Sequence, residues 1–235
     1  MEDRDDEKIT LKTINLERAR YALDDFGPRA ACYDYYIQSV PAAKMAEAVA
    51  YAAGFQETDK VLDLACGTGF LLKHLPGDGL RCGLDLCKAM LLKAGGNHFH
   101  RVQAHACALP FRDETFDVVV CLGAINIFDD NELGLLLREI IRTLNKRGCF
   151  VADASILPHP STLDRLLHPL LRTYNHLIST AWRCPVTIQY HKRDIDQLGT
   201  IFENHFEEVE TFMRNDLIRI GMGVKYGIGI VVGRK

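Results

Sequence analysis

What the chain lacks removes several classes of function at once. No apolar run approaches the roughly 20 residues that a membrane-spanning helix requires, so no transmembrane segment is expected. The opening residues Met1-Glu2-Asp3-Arg4-Asp5-Asp6-Glu7-Lys8 are acidic and do not read as a signal peptide. No two of the eight cysteines (32, 66, 82, 87, 107, 121, 149 and 184) form Cys-x-x-Cys, so neither a zinc site nor a disulfide framework is indicated. Cys82, Cys121 and Cys149 fall in expected strands or at their ends, where cysteine serves as a small apolar residue. A reducing cytoplasm is the simplest setting for such usage. There is no basic excess either: the formal net charge is −3, which argues against a nucleic-acid surface. Internal repeats and low-complexity linkers are absent. The remainder, 235 residues of which 48% are hydrophobic, suits one large globular domain or a domain with a cap.

The stretch that organises the chain is Val61-Leu62-Asp63-Leu64-Ala65-Cys66-Gly67-Thr68-Gly69-Phe70. Its apolar start reads as a buried parallel strand, and two glycines follow before an expected helix from Phe70 to Leu75. Strand, glycine turn and helix place a ligand site at the carboxyl end of the first strand of a doubly wound α/β fold. A dinucleotide fingerprint would need a third glycine where Leu72 stands, and a phosphate-binding loop would need Gly-Lys-Ser/Thr; neither is present. Asp63-Leu64-Ala65-Cys66-Gly67-Thr68-Gly69 instead resembles the first motif of the class I S-adenosylmethionine-dependent methyltransferases. It is especially similar to the subgroup that methylates small molecules, quinones and lipids (type 11-like).

The elements alternate. A helix is expected from Leu16 to Phe26, ended by Gly27-Pro28, and a second from Ala42 to Ala53, closed by Gly54. Strands are expected at Lys60–Leu64, Arg81–Asp85, Phe99–Ala104, Phe116–Leu122 and Cys149–Asp153, with a helix from Cys87 to Lys93 between the second and third. Before the fifth strand comes the clearest helix, capped by Asp130 or Asn131, with Leu133, Leu136, Leu137, Ile140, Ile141 and Leu144 as its apolar stripe. A helix from Asp194 to His205 and strands Phe206–Phe212 and Tyr226–Val232 complete the chain. In the last strand glycines occupy one face, which lets something pack closely. The expected fold is a doubly wound α/β, a seven-stranded, mostly parallel sheet with its last strand antiparallel. Residues 1–58 are expected as an N-terminal helical cap, 59–154 and 194–235 as the core, and 155–193 as a helical lid insertion.

The resemblance implies S-adenosylmethionine as cofactor, held by Asp63, Ala65, Cys66, Gly67 and Gly69 of the glycine loop. In the family the carboxylate corresponding to Asp63 orders that loop and faces the methionine amino group. Asp85, eighteen positions after Gly67, would accept from the ribose diol with Leu86 beside the adenine; as a strand-end Asp it could equally cap the helix from Cys87. Met90, Ala106, Cys107 and Leu122 complete the implied contacts, and Tyr33 belongs to an N-terminal segment that resembles the one folding over the cofactor in quinone-methylating relatives. Ala108 to Asp117 resembles the family's Leu-Pro-Phe…Phe-Asp block. One departure stands out: the acid expected four positions before Leu109 is His105. His105 could accept from the adenine amino group through a neutral ring nitrogen, or backbone groups of Cys107 and Ala108 could serve instead.

The fourth strand runs into Leu122-Gly123-Ala124-Ile125-Asn126, not the Asn/Asp-Pro-Pro-Tyr/Phe of nucleic-acid amino-methyltransferases. The expected acceptor is therefore a small or lipid-like molecule. Residues 155–193 concentrate His159, His168, Tyr174, His176, Trp182, Tyr190 and His191, a mixture suited to an acceptor pocket with a base that titrates near neutrality. Tyr190, His191 and His176 are the candidate catalytic residues.

Overall fold

The structure is a computed structural model that describes residues 16–31, 33–34, 42–95, 99–155, 193–220 and 224–235. Helices α1 (Leu16–Arg29) and α2 (Ala42–Ala53) precede strand β1 (Val61–Leu64). Strand β2 (Arg81–Asp85), helix α3 (Lys88–Lys93), β3 (His100–Gln103) and β4 (Phe116–Cys121) follow. A short 3-10 turn at Ile125–Ile127 leads to α4 (Asp130–Thr143) and β5 (Leu144–Ser155). The chain closes with α5 (Ile195–Glu203), β6 (Glu208–Ile220) and β7 (Val224–Arg234).

The strands form one seven-stranded sheet in the order β3-β2-β1-β4-β5-β7-β6. The β1–β2, β1–β4, β2–β3 and β4–β5 pairs are parallel, and β7 runs antiparallel to both β5 and β6. The seven strands, mostly parallel with the last antiparallel, are those expected from the sequence. Period-two alternation divides its side chains between two buried layers. Leu62, Leu64, Val119, Cys121, Phe150, Ala152 and Val231 face α4 and α5, where Leu133, Leu136, Leu137, Ile140, Leu198 and Phe202 meet them. Val61, Val118, Val120, Cys149, Val151, Ile230 and Val232 face the other side, against Met45, Ala46, Val49, Ala52 and Ala53 of α2.

Several boundaries differ from those expected. Helix α1 continues through Pro28 to Arg29, because proline near a helix end removes one donor while Ala30 N–H still reaches Phe26 O at 3.0 Å. Residues 70–74 form successive turns rather than a full helix; Lys73 and Leu75 N–H reach Gly69 and Leu71 O at 3.2 Å. Pro76 restricts the residue before it and leaves no length for further turns. Helix α4 is capped by Asp129, not by Asp130 or Asn131. Asp129 Oδ1 accepts from Glu132 N–H at 2.9 Å, and Glu132 Oε2 accepts from Asp129 N–H at 3.3 Å, a reciprocal capping box. Phe206 is not in the sixth strand: its N–H continues the end of α5 by bonding Phe202 O, and its ring packs on Phe202 and Phe150.

The Leu-Pro-Phe…Phe-Asp block is explained by the fold. Leu109 N–H donates to Glu139 Oε2 at 2.7 Å, while Arg142 donates to Phe111 O and Leu109 O and pairs with Asp113 at 2.8 Å. Asp117 accepts from Lys60 N–H at 2.8 Å and from the Asn145 side chain, tying the starts of β1, β4 and β5 together.

The glycine face of β7 is where α5 packs. A Cβ at Gly229 would press on the Ile195 side chain, and one at Gly233 would overlap the Phe206 ring. Gly233→Ala should therefore cost about 1–3 kcal/mol through overpacking. Thermal unfolding would show it as a lowered midpoint, whereas Gly134→Ala, which has open space around it, should not lower it.

Candidate active site

The carboxyl ends of β1, β2 and β4 open onto a cleft that is partly open to solvent. Its floor is built by the loop after β1. Ala65 and Gly67 both adopt left-handed backbone, φ 55° and 54°. At Ala65 that conformation is uncommon for a residue with a side chain, and such strain concentrates at ligand sites.

Asp85 fixes this loop. Its Oδ2 accepts from Gly67 N–H at 2.8 Å and its Oδ1 from Cys87 N–H at 2.7 Å. Cys87 is the N-cap residue of α3 and makes no side-chain cap bond, so Asp85 braces the approach to the helix as well as the glycine loop. Each carboxylate oxygen keeps a lone pair after these bonds, enough to accept from a diol. Burial raises the Asp85 pKa, opposed by the two backbone donors. Asp63, behind the loop, is raised well above the usual carboxylate range by burial and then by the nearby Asp85 charge.

Of the residues expected to hold a cofactor, Tyr33, Ala65, Gly67, Asp85, Leu86, Met90, Ala106 and Leu122 line the cleft together. Asp63, Cys66, Gly69 and Cys107 stand behind its wall. Gly69 owes its small size to packing: a Cβ there would overlap the Phe99 ring. Cys66 lies over Gly83, whose own Cβ would sit 2.8 Å from its sulfur. Burial pushes the Cys66 and Cys107 thiols up, and Cys107 Sγ donates to Glu132 O at 3.3 Å, so both act as apolar fillers. Tyr190, His191 and His176 lie outside the described residues.

His105, marked in the sequence as a departure, also lines the cleft, and several other lining residues were not singled out from the sequence. Leu23 and Phe26 of α1 reach the cleft, with Phe26 edge-on to Tyr33 at 6.3 Å between ring centroids. Gly123, Ile127, Phe128 and Glu132 enter from the segment after β4. The Asp129-x-x-Glu132 capping signature ahead of an apolar helix was the available signal for this wall. That segment is held from two sides. Asp153, at the end of β5, accepts from Gly123 N–H at 2.6 Å. Arg193 is buried and donates to Phe128 O at 2.9 Å and Asp130 Oδ1 at 2.6 Å, while its own N–H reaches Asn126 Oδ1 at 3.3 Å.

The environment fits an adenosyl group carrying a cationic amino-acid tail: a carboxylate facing a ribose-sized space, left-handed backbone beside it, and apolar walls. Among the described residues no group of His, Cys, Asp or Glu could hold a metal ion.

Burial pushes the Asp153 carboxyl up to about 6. An acid with a raised folded-state pKa holds its proton more tightly when folded, so its contribution favours the fold below the unfolded value near 4 and is lost as pH rises through about 6. Asp153→Asn keeps an acceptor for Gly123 but removes the charge. Its melting temperature should exceed the parent's at pH 7.5, and the difference should close by pH 4.5, as measured by calorimetry across that range.

The methyltransferase domain family matches residues 61–148 of this sequence. The chain is 35% identical over 202 residues to the ubiquinone/menaquinone biosynthesis C-methyltransferase of Shewanella woodyi, covering 74% of this chain and 77% of that protein. The same enzyme of Shewanella sediminis is 28% identical with the same coverage. Among solved structures, a Haloferax volcanii methyltransferase in complex with the Trm112 methyltransferase activator shares the fold. Its TM-score is 0.66 at 20% identity, covering 90% of this chain and 96% of that one. Haemonchus contortus phosphoethanolamine N-methyltransferase 2 in complex with S-adenosyl-L-methionine gives 0.57 at 14% identity, over 82% of this chain and 52% of that one. This chain belongs to the class I S-adenosylmethionine-dependent methyltransferases.

Proposed function

We propose that the enzyme methylates a small, apolar or lipid-like acceptor, of which a quinone precursor is the best example. The carrying observation is the cleft itself: Asp85 braced between Gly67 and Cys87, facing walls of Leu23, Phe26, Leu122, Ile127 and Phe128. The quinone-methylating relatives support the acceptor class. A cytoplasmic setting agrees with the six described cysteines, all free and buried, and no described helix is long and apolar enough to cross a membrane.

S-adenosylmethionine supplies, when bound, a methyl group already activated on a sulfonium. The chain's contribution is placement. Asp85 would accept from the ribose hydroxyls, and the left-handed Ala65–Gly67 backbone would give the amino-acid tail close approach, with the buried Asp63 behind the loop. Leu122 and Gly123, at the end of β4, border the space where acceptor and methyl meet. Holding the acceptor in line with the methyl–sulfur bond, with water excluded by the apolar walls, contributes the proximity term. Where the acceptor is a hydroxyl or a carbon acid, a base must take its proton. Residues 155–193 are the lid in this reading, with Tyr190, His191 and His176 as candidate bases, and residues 1–58 are the N-terminal helical cap.

Isothermal titration should show binding of S-adenosylmethionine and S-adenosylhomocysteine, with NAD and ATP much weaker; NAD binding of equal strength would refute the site assignment. Asp85→Ala removes a charged acceptor whose hydrogen bonds typically contribute ~1.5–3 kcal/mol each. After partial replacement by water, the dissociation constant should rise roughly ten- to hundredfold. An unchanged constant would leave Asp85 only its brace on the loop.

Labelled donor incubated with a metabolite extract should yield a labelled small product. Labelled protein or RNA instead would move the acceptor to another class. Once an acceptor is known, alanine at His176, Tyr190 or His191 should leave donor affinity within a few-fold, with at least one variant slowing single-turnover transfer strongly. Parent rates in all three would place the acceptor away from the lid, toward the N-terminal segment.

A further inference from the structure

We propose that His105 reads the purine of the cofactor as a hydrogen-bond donor, so that the site tolerates an oxygen in place of the adenine amino group. This rests on the placement of the ribose at Asp85. Strands β2 and β3 are parallel neighbours in which Asp85 pairs with Gln103. His105 stands two residues beyond that pair and lines the same cleft, flanked by Ala104 and Ala106. A base attached to a ribose at Asp85 lies over this end of β3. Because its glycosidic nitrogen points back to the sugar, the edge farthest from Asp85 is the one carrying N1 and the 6-substituent.

The backbone decides what His105 can offer that edge. Cys107 N–H donates to His105 Nδ1 at 3.2 Å, which occupies the Nδ1 lone pair. In a neutral imidazole the proton then sits on Nε2. The ring packs edge-to-face on Phe128, with centroids 6.5 Å apart and planes at 80°. Among the described residues Nε2 has no hydrogen-bond partner. Burial lowers the His105 pKa, which favours the neutral ring near pH 7. The neighbouring amides are committed as well: Cys107 N–H to the ring and Ala108 N–H to His105 O at 3.0 Å. His105 therefore presents one N–H to the purine and no acceptor. It does not offer the amino group the ring-nitrogen acceptor that was one of the two roles left open by the sequence.

A donor at this edge can bond a ring nitrogen of adenine or the 6-oxygen of hypoxanthine. A carboxylate there would bond the 6-amino group and repel a 6-oxygen. The test compares S-adenosylhomocysteine with S-inosylhomocysteine by calorimetry. In the parent the two dissociation constants should lie within about threefold of each other, because neither leaves Nε2–H unpaired. His105→Asp should widen the ratio to tenfold or more in favour of the adenosyl form. A parent ratio already above tenfold, or a ratio unchanged in His105→Asp, overturns the proposal. Failure of both ligands to bind the parent would instead overturn the cofactor placement beneath it. Should His105→Asp not fold, ¹⁵N spectra of the parent's imidazole decide: a protonated Nε2 that shifts when S-adenosylhomocysteine is added supports the donor, and a protonated Nδ1 refutes it.

Discussion

The carboxylate of Asp85 is the interaction on which the site depends. One oxygen holds the glycine loop through Gly67, the other the entrance to α3 through Cys87, so two strand ends are joined by one side chain. The geometry asks for a charge in a buried place, and that costs desolvation, visible in the raised pKa. Two backbone donors offset part of the cost, and Asp63 close behind adds to it. A cationic ligand relieves that burden, which suits the site to a sulfonium and an ammonium group. Binding energy and loop geometry are thus drawn from the same few atoms.

The frame around it works by exclusion. Two hydrophobic layers, one under α4 and α5 and one under α2, seal the sheet on both faces and leave only its carboxyl edge for chemistry. Small residues set the spacing. Gly83 makes room for Cys66 and Phe99, and Gly69 for the same ring, so a glycine motif that reads as ligand-binding is in part a packing motif.

The places of the strands along the chain were legible because the central buried ones carry a β-branched or apolar run, while the antiparallel last strand was implied by the resemblance. The cleft was legible where a strand end coincides with a motif, at Ala65, Gly67 and Asp85. It was not legible where the chemistry depends on distant pairing. That Phe128 and Glu132 line the same cleft as Asp85 follows from how α4 and the segment before it dock, and the partner of Asp153 lies thirty residues away. The misplaced α4 cap has a simple cause: three consecutive polar residues, Asp129, Asp130 and Asn131, are all good caps, and only the Glu three residues after Asp129 distinguishes them. His105 shows a further limit. Residue type announces both donor and acceptor, and only the backbone amide of Cys107 chooses between them.

The two tethers on the segment after β4 have a consequence for how such an enzyme diversifies. Asp153 and Arg193 bracket residues 154–192, and both grip the same short stretch, Gly123 to Asp130. For a flexible stretch whose ends are fixed, closure entropy grows only by about 0.6 kcal/mol for each doubling of length. On that arithmetic, changes of length between Ser155, where β5 ends, and Arg193 put little entropic load on the sheet. Under the proposal that this interval chooses the acceptor, a lineage exchanges one acceptor for another by rewriting it while the donor half of the pocket stays as it is.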